Sequence, residues 1–156
     1  MPLGNLTSQF FANVYLHELD YFAKNVLKIR YYIRYVDDFV ILHRSKKQLD
    51  IWKEQIDDFL HRNLKLELHK QKSRVIPLAR GIDFVGFRNF NHYKILRKRN
   101  IRSMKIKIKL FEEGLLDFRS LSEVYQGWQA YAKWANTCKS RQKIKEEIID
   151  AIWRKV

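Results

Sequence analysis

Apolar positions change their spacing several times along the 156 residues, and each change marks a new element. Between Asn5 and Val26, Leu6, Phe10, Val14 and Phe22, with Tyr15 and Leu19, recur at helical spacing. Pro2 and Gly4 stand just ahead as loop punctuation, so this stretch predicts a helix entered from a turn. From Arg30 to His43 the character becomes aromatic and β-branched: Tyr31, Tyr32, Ile33, Tyr35 and Val36, then Phe39, Val40, Ile41 and Leu42. That composition predicts strands. Asp37 and Asp38 interrupt the run. Acids are poor strand formers, so the pair is expected at a tight turn between two strands, both carboxylates projecting from one edge of the sheet.

Ser45, with Gln48 three residues on, reads as a capping box ahead of Leu49, Trp52, Ile56, Phe59 and Leu60, a helix expected to cover the sheet. Leu64, Leu66 and Leu68 alternate with Lys65, Glu67 and His69, which predicts a half-buried strand. A further strand pair is expected from Gly81 through Leu96, where Gly86 marks a bulge or a close backbone approach. Lys105 to Lys109 alternates like a strand, yet Ile101, Met104, Ile108, Phe111 and Leu115 keep helical spacing over a longer window, and helix is the reading. Ser120 and Glu123 form a second capping-box pattern before Val124, Tyr125, Trp128, Ala132 and Ala135, and Ile144, Ile148 and Ile152 mark a last helix. The layout predicts an α+β chain: antiparallel hairpins packed on helices over residues 1–96, then a helical lobe over 97–156.

Composition narrows what such a chain does. At 46% hydrophobic and 14% aromatic it can bury a real core, which argues against disorder. It has no long uncharged apolar run and no basic-then-apolar start, so neither a membrane span nor export is expected, and a cytoplasmic location is. The single Cys138 can form no internal disulfide and has no partner at zinc-ligand spacing. The 31 basic residues against 17 acidic ones leave a net charge of +14, which favours a polyanionic partner, nucleic acid ahead of anionic lipid. The excess is heavier after residue 90. There Arg97, Lys98, Arg99, Arg102, Lys105, Lys107 and Lys109 follow one another with no acid between them, enough to meet several phosphates and make binding steeply salt-dependent. A solvated helix face is the plainer explanation of the same run.

Adjacent carboxylates in an apolar run repel each other, and a hard divalent cation would resolve the conflict. Magnesium takes oxygen ligands and is often held by one or two carboxylates plus substrate phosphates, the arrangement that nucleotidyl transfer requires. A turn Asp bonding its own backbone is the alternative for a bare pair.

The surroundings of the pair decide between these. Tyr35-Val36-Asp37-Asp38 between apolar strands resembles the catalytic hairpin of reverse transcriptases. Three further segments agree in order: Pro2-Leu3-Gly4-Asn5-Leu6-Thr7-Ser8-Gln9 resembles the family's segment against the nascent base pair and template, and Lys72-Ser73 its basic motif. Gly81-Ile82-Asp83-Phe84-Val85-Gly86-Phe87 resembles its primer-grip hairpin. The chain is similar to the bacterial, group II intron-like type. Gln9, Tyr125-Gln126-Gly127-Trp128 and Ala135-Asn136-Thr137 resemble the enzymes of diversity-generating retroelements in particular.

The resemblance implies the C-terminal part of a polymerase palm followed by a helical, basic thumb. It implies that Asp37 is a magnesium ligand, with manganese as a substitute, and that Asp38 supports the site. Gly4, Asn5, Ser8, Gln9, Tyr35 and Lys72 would meet nucleotide or template, Phe84, Gly86 and Phe87 would grip the primer, and Arg97, Lys98, Arg99, Arg102, Lys105 and Lys109 would follow the nucleic-acid backbone. Gln9 as a helix-start residue bonding backbone, and Tyr35 as a buried strand tyrosine, remain open. The implied partners are an RNA template, a DNA or RNA primer, deoxynucleotides and a small basic accessory protein. The family's first metal-binding Asp and its fingers precede the Pro2-Leu3-Gly4 segment and are expected to be missing. The chain alone is therefore expected to polymerise little or not at all, to need the missing N-terminal segment and to self-associate through surface that segment would cover. A non-catalytic RNA-binding module using the basic lobe is the rival reading, and a structural protein with an aromatic surface the third.

Overall fold

In the computed structural model, which describes residues 6–155, the first helical pattern forms α1, Leu6–Tyr21, prolonged by a π-helical turn at Phe22–Val26. Two strands follow, β1 at Tyr31–Tyr35 and β2 at Asp38–Leu42, then α2 at Lys46–Phe59 with its own π-helical turn at Leu60–Leu64. After a short 3-10 turn at Leu78–Arg80 come β3, Ile82–Phe84, β4, Phe87–Asn89, and β5, Lys94–Leu96, and finally the helices α3, Lys98–Glu112, α4, Phe118–Ala132, and α5, Cys138–Trp153. The chain divides into two compact units, residues 1–76 and 77–156. Mixed helix and antiparallel sheet fit the expected α+β class. Among the described residues no helix is long and apolar enough to cross a membrane.

The first unit is built around Leu19 and Ala23 of the first helix and its extension, Ile29, and Ile56, Leu60 and Leu64 of α2 and its extension. β1 and β2 pair antiparallel from Tyr31 opposite Leu42 to Tyr35 opposite Asp38. Their inward residues Tyr32, Phe39 and Ile41 lie on this cluster with Trp52 and Phe59 of α2, so α2 covers the hairpin as expected. The Phe22 and Phe59 rings stack at 4.1 Å, and the Tyr15 hydroxyl donates to the Leu64 carbonyl at 2.6 Å. Ser45 caps α2, accepting from the Gln48 N–H at 3.3 Å; its own N–H donates to His43 Nδ1 at 3.2 Å. The sheet has two strands, and their outer edges carry no ladder among the described residues.

The strand expected at Leu64–Leu68 does not form. Instead the helix runs on to Leu64, Lys65 turns left-handed at φ 51°, and the Leu66 N–H closes back on the Leu60 carbonyl at 3.1 Å. Leu64 and Leu68 still reach the core while Leu66 stays exposed, so the alternation reports burial without a strand partner to pair with.

In the second unit β3, β4 and β5 form an antiparallel meander, one strand more than the expected pair. Phe87 and Leu96 of this sheet are buried with Ala132 against Ile101, Trp128, Tyr131 and Ala135. The sheet thus packs with the helices, which is why the division between units falls at Ile76 and Pro77, ahead of the lobe boundary expected at 96/97. Met104, Ile108 and Phe111 of α3, Leu121 of α4, and Ile144, Ile148 and Ala151 of α5 form the helical core. The cap of α4 corrects the expected capping box: Asp117, not Ser120, precedes the helix, accepting from the Ser120 N–H at 2.8 Å and from its hydroxyl at 3.0 Å. A carboxylate one turn earlier satisfies the same orphan donor and also suits the positive end of the helix dipole.

Candidate functional site

Asp37 and Asp38 do lie at a tight turn. Tyr35 and Asp38 face each other at the end of the ladder, leaving Val36 and Asp37 as the two connecting residues. Val36 has φ 55°, and Asp37 is not among the residues of positive φ. Hairpins with positive φ at the first connecting residue ordinarily place glycine there. A β-branched residue in this region is strained, by on the order of 1–3 kcal/mol, and persists only where its surroundings enforce it.

Arg34 reaches this turn. Its Nε and Nη2 donate to the two carboxylate oxygens of Asp20 on α1, at 2.8 and 2.6 Å. Its Nη1 donates to Asn13 Oδ1 of the same helix at 3.0 Å and to the Val36 carbonyl at 2.7 Å. The Tyr32 hydroxyl also donates to Asp20, at 2.7 Å. The Arg34 side chain is 11% exposed and that of Asp20 28%. Burial pulls the Asp20 carboxyl upward, but the hydrogen bonds from Arg34 and Tyr32 and the Arg34 charge outweigh it and hold it below the usual carboxylate range. Burial, then Asp20, pushes the Tyr32 phenol well above its ordinary value, and the Asp20 bond raises Arg34 further.

Directly opposed residues of an antiparallel pair share a face. Tyr31, Ile33 and Tyr35 therefore lie with Leu42, Val40 and Asp38 on the side away from the core. Tyr35 is 59% exposed, so the buried-tyrosine alternative does not describe it. Asp37 and Asp38 are exposed too, and neither makes an ion pair or side-chain hydrogen bond among the described residues. They are hard oxygen donors, and one or two carboxylates suffice for magnesium when phosphates and waters complete the shell, so the pair fits that ion. Among the described residues no three His, Cys, Asp or Glu side chains gather as a metal site. Ser8 lies half-buried in α1; Gln9 lies in the same helix, its side chain outside what is described, as are Gly4 and Asn5 altogether. Lys72 is exposed on a separate turn, its N–H donating to the His69 carbonyl at 3.0 Å.

In the second unit Phe84 and Phe87 oppose each other, and Val85 and Gly86 connect them with φ 47° and 79°, both left-handed as a two-residue hairpin prefers. Gly86 is also the expected close approach: a Cβ there would strike the Tyr131 hydroxyl. That ring stacks on Phe87 at 4.7 Å, and Phe87 itself is 8% exposed.

The basic run begins at Arg97, which precedes α3, and continues along the helix. Arg97 pairs with Asp83 at 3.4 Å, Lys105 with Glu147 at 2.6 Å and Lys109 with Glu113 at 3.5 Å. Lys98, Arg99 and Arg102 are exposed and make no ion pair among the described residues. Lys98 and Arg99 occupy the first turn, where the helix dipole disfavours cations and already attracts anions, so anion binding there would relieve an internal conflict.

The sequence reading missed Arg34, Asp20 and Asn13. One signal was available: Arg34 alternates with Tyr32 on the inward face of a half-buried strand, and a buried guanidinium requires a carboxylate.

Residues 1–89 match the family model described as reverse transcriptase (RNA-dependent DNA polymerase). The chain is also similar to the group II intron-encoded protein LtrA of Lactococcus lactis subsp. cremoris, with 36% identity over 61 residues, 38% of this chain and 10% of that protein. The LtrA of strain MG1363 matches to the same extent. The chain thus spans about a tenth of the length of the curated relatives it matches.

Proposed function

Because the chain belongs to the reverse transcriptase family, whose members are RNA-directed DNA polymerases, we propose that it supplies the catalytic hairpin and thumb of such an enzyme, joining deoxynucleotides to a primer 3′-hydroxyl on an RNA template. The observation that carries this is the exposed Asp37 and Asp38 pair on a strained two-residue turn inside the segment matching the family. Asp37 would hold a magnesium or manganese ion directly, with Asp38 supporting it. Such an ion, when bound, activates the attacking hydroxyl and stabilises charge on the leaving pyrophosphate. Tyr35, on the same face as Asp38, lines the floor beneath the primer end. Gly4, Asn5, Ser8, Gln9 and Lys72 meet nucleotide and template, Phe84 and Gly86 grip the primer on a hairpin that the buried Phe87 anchors, and Lys98, Arg99 and Arg102 lead the contacts to the sugar-phosphate backbone. The diversity-generating subgroup, and with it the small basic accessory protein, rests on the resemblance at Gln9 and in residues 125–128 and 135–137.

Two carboxylates make an incomplete site for this chemistry, so synthesis needs further palm and finger residues, and the chain alone extends a primer little. Unit one offers surface for that segment or for a second copy: Phe10, Phe11 and Val14 of α1 and Tyr31, Ile33 and Tyr35 of β1 are all more than half exposed, beside strand edges that carry no ladder among the described residues.

The test is primer extension by the assembled enzyme with Asp37→Ala. Synthesis should fall by at least about a thousandfold, the order seen when charge stabilisation at a reacting centre is removed, while RNA affinity changes less than about twofold. Retained synthesis would sink the catalytic reading. RNA binding without synthesis in any assembly would favour the non-catalytic module, which the exposed Lys98, Arg99 and Arg102, without an ion pair among the described residues, also suit.

A further inference from the structure

The turn that presents Asp37 and Asp38 does not hold its shape through its own sequence. Val36 sits in a region that suits glycine, and Asp37 and Asp38 make no side-chain bond of their own among the described residues. What reaches the turn is the Arg34 guanidinium. Its fork is closed on Asp20 and its third nitrogen is shared between Asn13 and the Val36 carbonyl. Asp20 follows Leu19, which is buried in the core of the unit, and Ala23 one turn on is buried as well, so the anchor sits on a helix packed into that core.

We propose that Arg34 is the positioning residue of the catalytic turn: by holding the Val36 carbonyl from an anchor on α1 it keeps Val36 left-handed and so aims Asp37 and Asp38. The peptide plane between Val36 and Asp37 contains that carbonyl and the Asp37 N–H. If Val36 relaxed towards the extended region the plane would rotate, the 2.7 Å bond would break, and the Asp37 Cα would swing with it. The chemistry singles out arginine. A planar fork engages both oxygens of Asp20 while a further N–H remains for the turn; a lysine ammonium offers a single point and cannot span both. The step from turn geometry to synthesis rests on the catalytic reading above, whereas the clamp itself does not.

A clamp and a plain structural ion pair differ in one respect. Glycine adopts positive φ at no steric cost, so Val36→Gly removes the strain that the clamp opposes. The full chain would be prepared with Arg34→Lys, Val36→Gly and both together, each unfolded in urea, and the 15N-labelled proteins titrated with manganese to follow broadening of the Asp37 and Asp38 amides. Arg34→Lys is expected to lower the folding equilibrium constant at least tenfold beside Val36 and at least threefold less in the Val36→Gly background. It should also raise several-fold the manganese needed to broaden those amides, with Val36→Gly restoring the response. Equal losses in both backgrounds would make Arg34 a structural ion pair and overturn the proposal. If Arg34→Lys does not fold, the double variant decides: recovered folding supports the clamp, and an unfolded chain overturns it. Absence of manganese broadening in the parent chain would sink the metal reading, and the folding cycle would still judge the clamp.

Discussion

Asp20 is held below the usual carboxylate range by Arg34 and Tyr32 despite burial, and that depression has a pH signature. A carboxyl whose folded pKa is depressed stabilises the fold fully above its unfolded value, near 3.8, and the contribution disappears as pH falls through the lower folded value. Urea unfolding measured from pH 6 down to about pH 2.5 should therefore show the parent chain losing stability more steeply below about pH 4 than Asp20→Asn does; parallel curves would mean the pair is too solvated to matter. At this scale the sequence was legible where a residue type broke its context. Asp37 and Asp38 stood out because acids do not belong in an aromatic strand, and their place at the turn follows. Val36 did not stand out, because valine beside strand residues reads as strand; its left-handed backbone meets a contact from outside the turn, the Arg34 bond to its carbonyl, which the sequence does not reveal. Arg34 and Asp20 are 14 residues apart, and their pairing exists only once the hairpin lies on α1.

Elements followed their periodicity where burial and hydrogen bonding agree. All the expected helices formed, and the hairpin formed with the Asp pair at its turn, because one face of each is apolar and finds a partner. The segment after α2 shows the opposite case. Its leucines alternate and two of them are buried, but a strand requires a neighbour to receive its backbone bonds, and spacing alone does not reveal one. The start of α4 was missed by one turn because Asp117 and Ser120 are both good caps, and the carboxylate, favoured by the dipole, takes the outer position. The Ser120 N–H and hydroxyl hold the Asp117 carboxyl below its ordinary range. Asp117→Ala should accordingly speed amide hydrogen exchange at Ser120 and its neighbours in the first turn, with Ser120→Ala doing so less. The reverse order would return the cap to Ser120.

For the molecule as a whole, the net charge of +14 favours a polyanion, and the run from Arg97 to Lys109 is the surface proposed to meet it. Which cations remain free was not legible, since Asp83 and Glu147, the partners of Arg97 and Lys105, lie elsewhere in the sequence. RNA binding measured across a salt series should lose roughly one unit of log-log slope for each of Lys98→Ala, Arg99→Ala and Arg102→Ala, and less for Lys109→Ala, whose charge is shared with Glu113. Equal effects at all four positions would mean the ion pairs open freely on binding.

The valine at the head of the Asp37-Asp38 turn also sets an order of events for sequence change. If the proposed clamp operates, then while Val36 remains Arg34 is committed to holding its carbonyl and Asp20 and Asn13 to holding Arg34, and loss of any of them should loosen the turn. A glycine at that position would need no such restraint, and the three partners could then drift. A lineage can thus exchange the valine first and the clamp afterwards, but not in the opposite order, and these positions should change as a set.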